Sequence, residues 1–207
     1  MTHPTRLDPA TDVPEAAVDA IRRGEIVAYP TDTLYGLAVD PRQSDAVTRL
    51  GHLKSGSSRN GFPLIAASLA QVESALGPLP TLARRLACEF WPGPLTIVYV
   101  PTVTLPAGVA AADGTVAVRV PDSAPARQLA RSLGFPITAT SANPPGVTPA
   151  STDIEVARLV GEHVSVILRQ PGVLQGLPST IVDARGPVPV LLRAGAVAWD
   201  RVLQSAS

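Results

Sequence analysis

Cysteine occurs once in the 207 residues, at Cys88, which excludes an internal disulfide and any cysteine-rich zinc site. His3, His52 and His163 are scattered and give no metal-ligand spacing, so no protein-built metal site is expected. Aromatic residues make up only 4%, with three Phe, three Tyr and two Trp, too few for a row of stacking platforms along a nucleic acid. Neither sign of charge dominates: 17 basic residues balance 17 acidic ones, so no global field draws the chain onto a polyanion or an anionic membrane. No apolar run approaches the roughly 18 residues of a spanning helix. The opening MTHPTRLDPATD lacks the basic-then-apolar layout of a signal peptide, and the expectation is a soluble, cytoplasmic protein. The GxxxxGK[ST] phosphate loop, the GxGxxG turn and the GxSxG elbow are all missing, so a nucleotide site needs another design and serine nucleophilic chemistry has little support.

Hydrophobic residues form 45% of the chain and charged residues only 16%, the balance of a folded domain. The length fits one domain, expected over 1–207 with its core at about 14–198. The 22 prolines and 16 glycines are spread between elements and mark turns. Helical and extended signals alternate. Asp12, Pro14 and Glu15 start a helix that Gly24 ends; Ser44 to Leu53, Leu82 to Phe90, Ala124 to Leu133 and the terminal AWDRVLQSAS read as further helices. EIVAYP, FPLIAA, LTIVYV, TVAVRV, PITATSA, VSVILR, STIVDA and VPVLLR read as strands. The class is therefore α/β (α+β), with a sizeable mixed sheet and flanking helices.

Two residue types are scarce in a telling way. Sixteen of the 17 cations are arginine and the exception is Lys54; a compact ammonium that settles among phosphate oxygens is what a planar guanidinium does not reproduce. Asparagine occurs only at Asn60 and Asn143. Polar residues gather at the ends of apolar runs, where sheet proteins place ligand contacts. YPTDTLYGLAVDP carries Thr31, Asp32, Thr33 and Tyr35 at a strand–turn–strand. LKSGSSRNGFPL places Lys54 before a hydroxyl-rich loop with Arg59 and Asn60, suited to wrapping phosphates. Arg119 interrupts the apolar VAVRVP, and if that strand is central the charge needs an anionic partner. TATSANPPG ends a strand in Ser141 and Asn143; STIVD and LLRAG add Ser179, Thr180 and Arg193. Cys88, inside a helical stretch, reads as a packed thiol.

Taken in order, YPTDTLYGLAVDP, WPGPLTIVYV, VAVRVP, TATSANPPG, STIVD and LLRAGA resemble the successive signatures of the YrdC family, the threonylcarbamoyl-AMP synthases, from about Ile21 to Val197. The resemblance implies a twisted mixed sheet around a large, positively lined concave cavity, without the extra C-terminal domain of longer members. It implies the reaction of L-threonine, bicarbonate and ATP to threonylcarbamoyl-AMP and pyrophosphate, for the threonylcarbamoyladenosine of tRNA. Lys54 matches the first position of the family's KxR motif and would hold ATP phosphates; Ser141 and Asn143 match its SxN motif, and Arg193 would pair with phosphate. Arg119 would take the threonine carboxylate, with Thr31, Thr33, Tyr35, Ser179 and Thr180 around the amino acid. Lys54, Arg59 and Arg119 form the expected catalytic set, with Arg59 and Asn60 also at the nucleotide. Magnesium would be held mainly by ATP phosphates. The resemblance further suggests hand-over to a threonylcarbamoyl transferase complex and a weak tRNA contact, with no membrane partner.

The sequence departs from the pattern at Gly56, where the family has the second basic residue of KxR; Arg59 is expected to reach back into the same phosphate region. Ala67 stands where some longer members have a histidine. Two alternatives remain open at this point: a paralogue of the same fold that binds nucleotide without the synthase activity, and an RNA-binding module, which the lack of net charge and of aromatics disfavours.

Overall fold

The computed structural model describes residues 4–8, 15–54, 61–174 and 176–206. In chain order the elements are β1 (Thr5–Leu7), α1 (Glu15–Arg22), β2 (Val27–Pro30), β3 (Tyr35–Ala38), α2 (Ser44–Leu53), β4 (Leu64–Ile65), α3 (Leu69–Leu76), α4 (Thr81–Phe90), β5 (Leu95–Tyr99), β6 (Val116–Arg119), α5 (Ala124–Leu133), β7 (Ile137–Thr138), β8 (Thr140–Ser141), α6 (Asp153–Val160), β9 (Val166–Leu168), β10 (Thr180–Asp183), β11 (Val190–Arg193) and α7 (Trp199–Ala206). The α/β class expected from the sequence is the class observed. The strands, however, divide between two mixed sheets: five in the order β1-β9-β2-β3-β8 and six in the order β11-β10-β5-β6-β4-β7.

The division falls inside one short run. Ile137–Thr138 pairs antiparallel with β4 in the six-stranded sheet, and two residues later Thr140–Ser141 pairs antiparallel with β3 in the five-stranded one. Thr138, fully buried, joins the two: its Oγ1 accepts from Val39 N at 2.9 Å and donates to Leu37 O at 3.1 Å. A single apolar stretch thus serves two sheets, and the space between them becomes available for a ligand.

Alternation along the strands sets the packing. Val27 and Tyr29 of β2 face a core shared with α1 and α5, while Ala28 between them faces the larger core, which also takes Leu37, Leu64, Ile97 and Val118. Helix α5 has its ends written in sequence: the Ser123 hydroxyl accepts from Ala126 N, Pro125 lies in the first turn, and Gly134 closes the helix at φ 77°, a left-handed conformation open to glycine at little cost. The strand β6 lies inside the six-stranded sheet between β5 and β4, so Arg119 at its end is only 7% exposed.

Candidate active site

The antiparallel pair β2–β3 turns through Thr31 to Leu34. Thr31 braces that turn: its Oγ1 accepts from the backbone N–H of Thr33 and Leu34 (3.0 and 3.1 Å) and donates to Leu34 O at 2.7 Å. Thr31 Oγ1 and Thr33 Oγ1 also lie 2.9 Å apart, a contact in which either hydroxyl can donate. Thr33 Oγ1 in turn accepts from Arg119 NH2 at 3.4 Å. Gly176 packs over the same turn; a Cβ there would sit 2.7 Å from Asp32 O and 2.7 Å from Thr33 Cα, so only glycine allows the approach.

Opposite this turn, β10 and β11 supply a second polar group. Arg193 donates through Nε and NH2 to Ser179 O (3.1 and 2.8 Å) and through NH2 to Ser179 Oγ at 3.0 Å, while Ser179 Oγ lies 2.8 Å from Thr96 Oγ1. Burial first, and the nearby Arg119 charge second, push the Arg193 guanidinium below its ordinary value. The two arginines therefore feel each other's charge, and both line one cavity of about 260 Å³ between the sheets. Thr31, Thr33, Tyr35, Ser141 and Ser179 share its wall, together with Tyr29, Gly36, Thr96 and the apolar side chains Leu64, Ile65 and Ile181.

Arg119 has the anionic partner that an interior strand demands, and it is internal: NH1 donates to Asp32 Oδ1 at 2.8 Å, with both side chains largely buried. Asp32 was visible in the TDT run but carried no role in the sequence reading; the signal that could have found it was the expected need of Arg119 for a carboxylate.

Lys54 follows the last turn of α2 and reaches the β8 end. Its Nζ donates to Ser141 O at 3.1 Å, Asn143 O at 2.7 Å and Asn143 Oδ1 at 3.2 Å. All three acceptors are neutral oxygens, and burial lowers the ammonium's pKa below the ordinary lysine value. Ser141 Oγ donates to Asn143 Oδ1 at 2.5 Å and the Asn143 amide donates to Pro144 O and Val147 O, so Lys54, Ser141 and Asn143 form one knot at the edge of the cavity. Lys54 and Asn143 do not themselves line the described cavity.

Two residues expected around the amino acid have their hydroxyls committed elsewhere. The Thr180 hydroxyl, fully buried, donates to Val197 O at 2.7 Å and accepts from Val197 N at 2.9 Å, and Thr180 is not on the cavity wall. Tyr35 contributes its ring to the wall but its OH donates to Leu168 O at 3.1 Å; burial, then the Asp153 charge, pushes its pKa far up, and it stays a neutral phenol. Arg59 and Asn60, with Gly56, lie outside the described residues. Cys88, expected to be packed, is exposed on α4. Among the described residues no three His, Cys, Asp or Glu side chains converge as a metal site, and no helix is long and apolar enough to cross a membrane.

Fold and site together define an α/β protein of two mixed sheets, with Arg119 and Arg193 on the wall of one cavity. Comparison with known proteins narrows this. The family profile described as "Telomere recombination", covering the Sua5, YciO and YrdC proteins, matches residues 19–195, and the chain belongs to that family. It is 39% identical over 163 residues to the threonylcarbamoyl-AMP synthase of Thiobacillus denitrificans, spanning 79% of this chain and 86% of that one. Against the threonylcarbamoyl-AMP synthase of Bacillus subtilis identity is 35% over 198 residues, 93% of this chain but 57% of the longer relative. Among solved structures, P. abyssi Sua5 complexed with L-threonine superposes with a TM-score of 0.88 at 31% identity over 99% of this chain and 61% of that one. E. coli YciO gives 0.85 at 25% identity over 98% and 100%.

Proposed function

We propose that the protein is an L-threonylcarbamoyladenylate synthase acting for tRNA threonylcarbamoyladenosine modification. The observation that carries this reading is that Arg119 and Arg193 both lie on the wall of one cavity whose remaining polar side chains are neutral hydroxyls. All three substrates are anionic or carry a carboxylate, and a chain with no net charge recognises them by concentrating its cations in one cleft. Curated relatives of comparable length carry the name threonylcarbamoyl-AMP synthase, which supports the same activity here.

In this mechanism the threonine carboxylate lies against the Arg119 guanidinium, with Thr33 and Ser179 beside it. The threonine amine attacks the bicarbonate carbon, water leaves, and a carbamate forms. A carbamate oxygen then attacks the α-phosphorus of ATP in line, pyrophosphate departs and threonylcarbamoyl-AMP remains, which makes the enzyme a nucleotidyltransferase. Lys54, set in place by Ser141 and Asn143 at the nucleotide end, holds the phosphates and Arg193 absorbs developing charge. Rate enhancement comes from holding three reactants together and from fixed cations rather than from a covalent enzyme intermediate. The donor set suits magnesium only through the nucleotide: oxygen ligands of the phosphates would hold the ion, as is usual for Mg²⁺, and the chain adds no acidic cage of its own among the described residues. The reaction belongs in the cytoplasm, with the product passed to a threonylcarbamoyl transferase.

The test is incubation with ATP, L-threonine and labelled bicarbonate. Labelled threonylcarbamoyl-AMP and threonine-dependent pyrophosphate are expected, and both vanish when threonine is omitted. Nucleotide binding without product under conditions where a known synthase turns over would identify a non-synthetic paralogue instead. Binding of RNA that weakens steeply with salt, with no product, would identify an RNA-binding module.

A further inference from the structure

The Arg119–Asp32 pair is built in a way that a purely structural ion pair is not. Arg119 is 7% exposed, at the end of an interior strand, and its guanidinium faces the cavity. Asp32 engages it through Oδ1 and NH1 alone, at 2.8 Å. Its other oxygen, Oδ2, is buried and has no hydrogen-bond partner among the described residues. Buried carboxylates are ordinarily satisfied on both oxygens, and Arg–carboxylate pairs frequently take the two-pronged form that uses a whole edge of the guanidinium. Here one N–H goes to Asp32 and one weak contact, at 3.4 Å, goes to Thr33. The rest of the five-donor fork stays free of described protein acceptors. The turn that carries Asp32 is itself fixed, by the Thr31 hydroxyl from below and by the close approach of Gly176 from above.

We propose that Asp32 is a positioning residue: it anchors Arg119 by a single N–H, on a braced turn, so that the remaining guanidinium edge is aimed at the carboxylate of the amino-acid substrate. This assignment rests on the synthase reading above. Asp32 acts through Arg119 and does not itself touch the substrate. Its carboxylate also compensates the Arg119 charge on a cavity wall that carries the Arg193 guanidinium as well.

The experiment measures L-threonine binding by calorimetry and steady-state kinetics for the wild type, Asp32→Ala and Asp32→Asn, alongside binding of a non-hydrolysable ATP analogue. Asp32→Asn keeps the shape and an oxygen able to accept from NH1. Positioning predicts that Asp32→Ala raises the threonine Kd and KM at least tenfold, with ATP-analogue affinity within about twofold of wild type, while Asp32→Asn recovers threonine affinity to within about threefold. Unchanged threonine affinity in Asp32→Ala overturns the assignment. So does an Asp32→Asn defect as large as that of Asp32→Ala, because the charge itself would then be meeting the substrate. Equal losses of threonine and nucleotide binding in both variants also overturn it, since they mark a general structural role. If the wild type binds no threonine, the failure lies with the synthase reading, and the assignment falls with it; if the wild type binds threonine and Asp32→Ala does too, only the assignment fails.

Discussion

Lys54 keeps its charge in a half-buried setting with no carboxylate against it among the described residues, held by three neutral oxygens from Ser141 and Asn143. Such an ammonium gains from an arriving anion what its surroundings do not supply. Two consequences follow for nucleotide binding. Removing the charge in Lys54→Met deletes a charge-assisted hydrogen bond, a loss of about 1.5–3 kcal/mol or roughly ten- to a hundredfold in ATP-analogue affinity, read by calorimetry. Burial also places the folded-state pKa below the ordinary 10.5, so in the free protein the ammonium is lost at lower pH than an exposed lysine would lose it. Wild-type affinity for the analogue is therefore expected to begin falling at a lower pH than an exposed lysine would cause, below the ordinary 10.5, and Lys54→Met should show a flatter profile. The stability effect of the same group has the opposite sign. Between the depressed folded value and the ordinary one the unfolded chain binds more protons, so Lys54 contributes increasing stability as pH rises through that window. A titration that moves affinity and stability in the same direction would exclude Lys54 as the group responsible.

At the scale of elements, the junction between β7 and β8 decides whether the cleft exists, because Thr138 ties the six-stranded sheet to Val39 and Leu37 beside the five-stranded one. Thr138→Val keeps the volume but leaves the Val39 N–H without that acceptor and Leu37 O without that donor inside the core. A cost of about 1–3 kcal/mol is expected, seen as a fall in Tm of about 2–12 °C for a chain of this size, with secondary structure retained by circular dichroism. That junction was not legible in the sequence: PITATSA reads as one strand, since period and composition are local while the choice of partner strand is not. Helices α2 and α5 were legible to the residue, because Ser44 to Leu53 carries a clean apolar stripe and α5 has a serine cap and a closing glycine. Helix α6 went unread although its signal was present: Thr152 and Glu155 form the S/T-x-x-E spacing, with Glu155 N donating to Thr152 Oγ1 at 3.1 Å. FPLIAA shrinks to Leu64–Ile65: at its start the Phe62 N–H turns away to Gly108 O, while the Ala66 N–H still bonds Arg119 O of β6.

For the whole molecule, electrical neutrality and a cationic cleft are one arrangement seen from two distances. Most of the described arginines are ion-paired, as in Arg42 with Asp40, Arg185 with Asp183 and Asp113, and Arg6 and Arg169 with Asp153. The composition made such pairing countable but could not say which cations would be left to face a ligand, since Asp32 and Arg119 meet across 87 positions of chain. What the sequence did mark were the residue types, Arg119 within an apolar strand and Arg193 at the end of another, and both lie on the wall of the cleft. Arg193 sits on the exposed edge strand β11, but Arg119 is buried at the end of β6, and a buried charge is screened less by salt than one on an open surface, where interactions fade beyond a Debye length of roughly 10 Å at 0.1 M. The cleft should accordingly hold a small carboxylate about equally well in dilute and concentrated salt. At a hundredfold excess over its Kd, L-threonine contributes about 2.7 kcal/mol to stability, a rise in Tm of about 5–10 °C in a thermal-shift measurement. The rise should persist when sodium chloride is raised from about 0.05 to 0.5 M. L-threonine methyl ester, which lacks the carboxylate, should give none at the same concentration. A shift of equal size with the ester would mean that the amine or the hydroxyl, and not the anion facing Arg119 and Arg193, carries recognition.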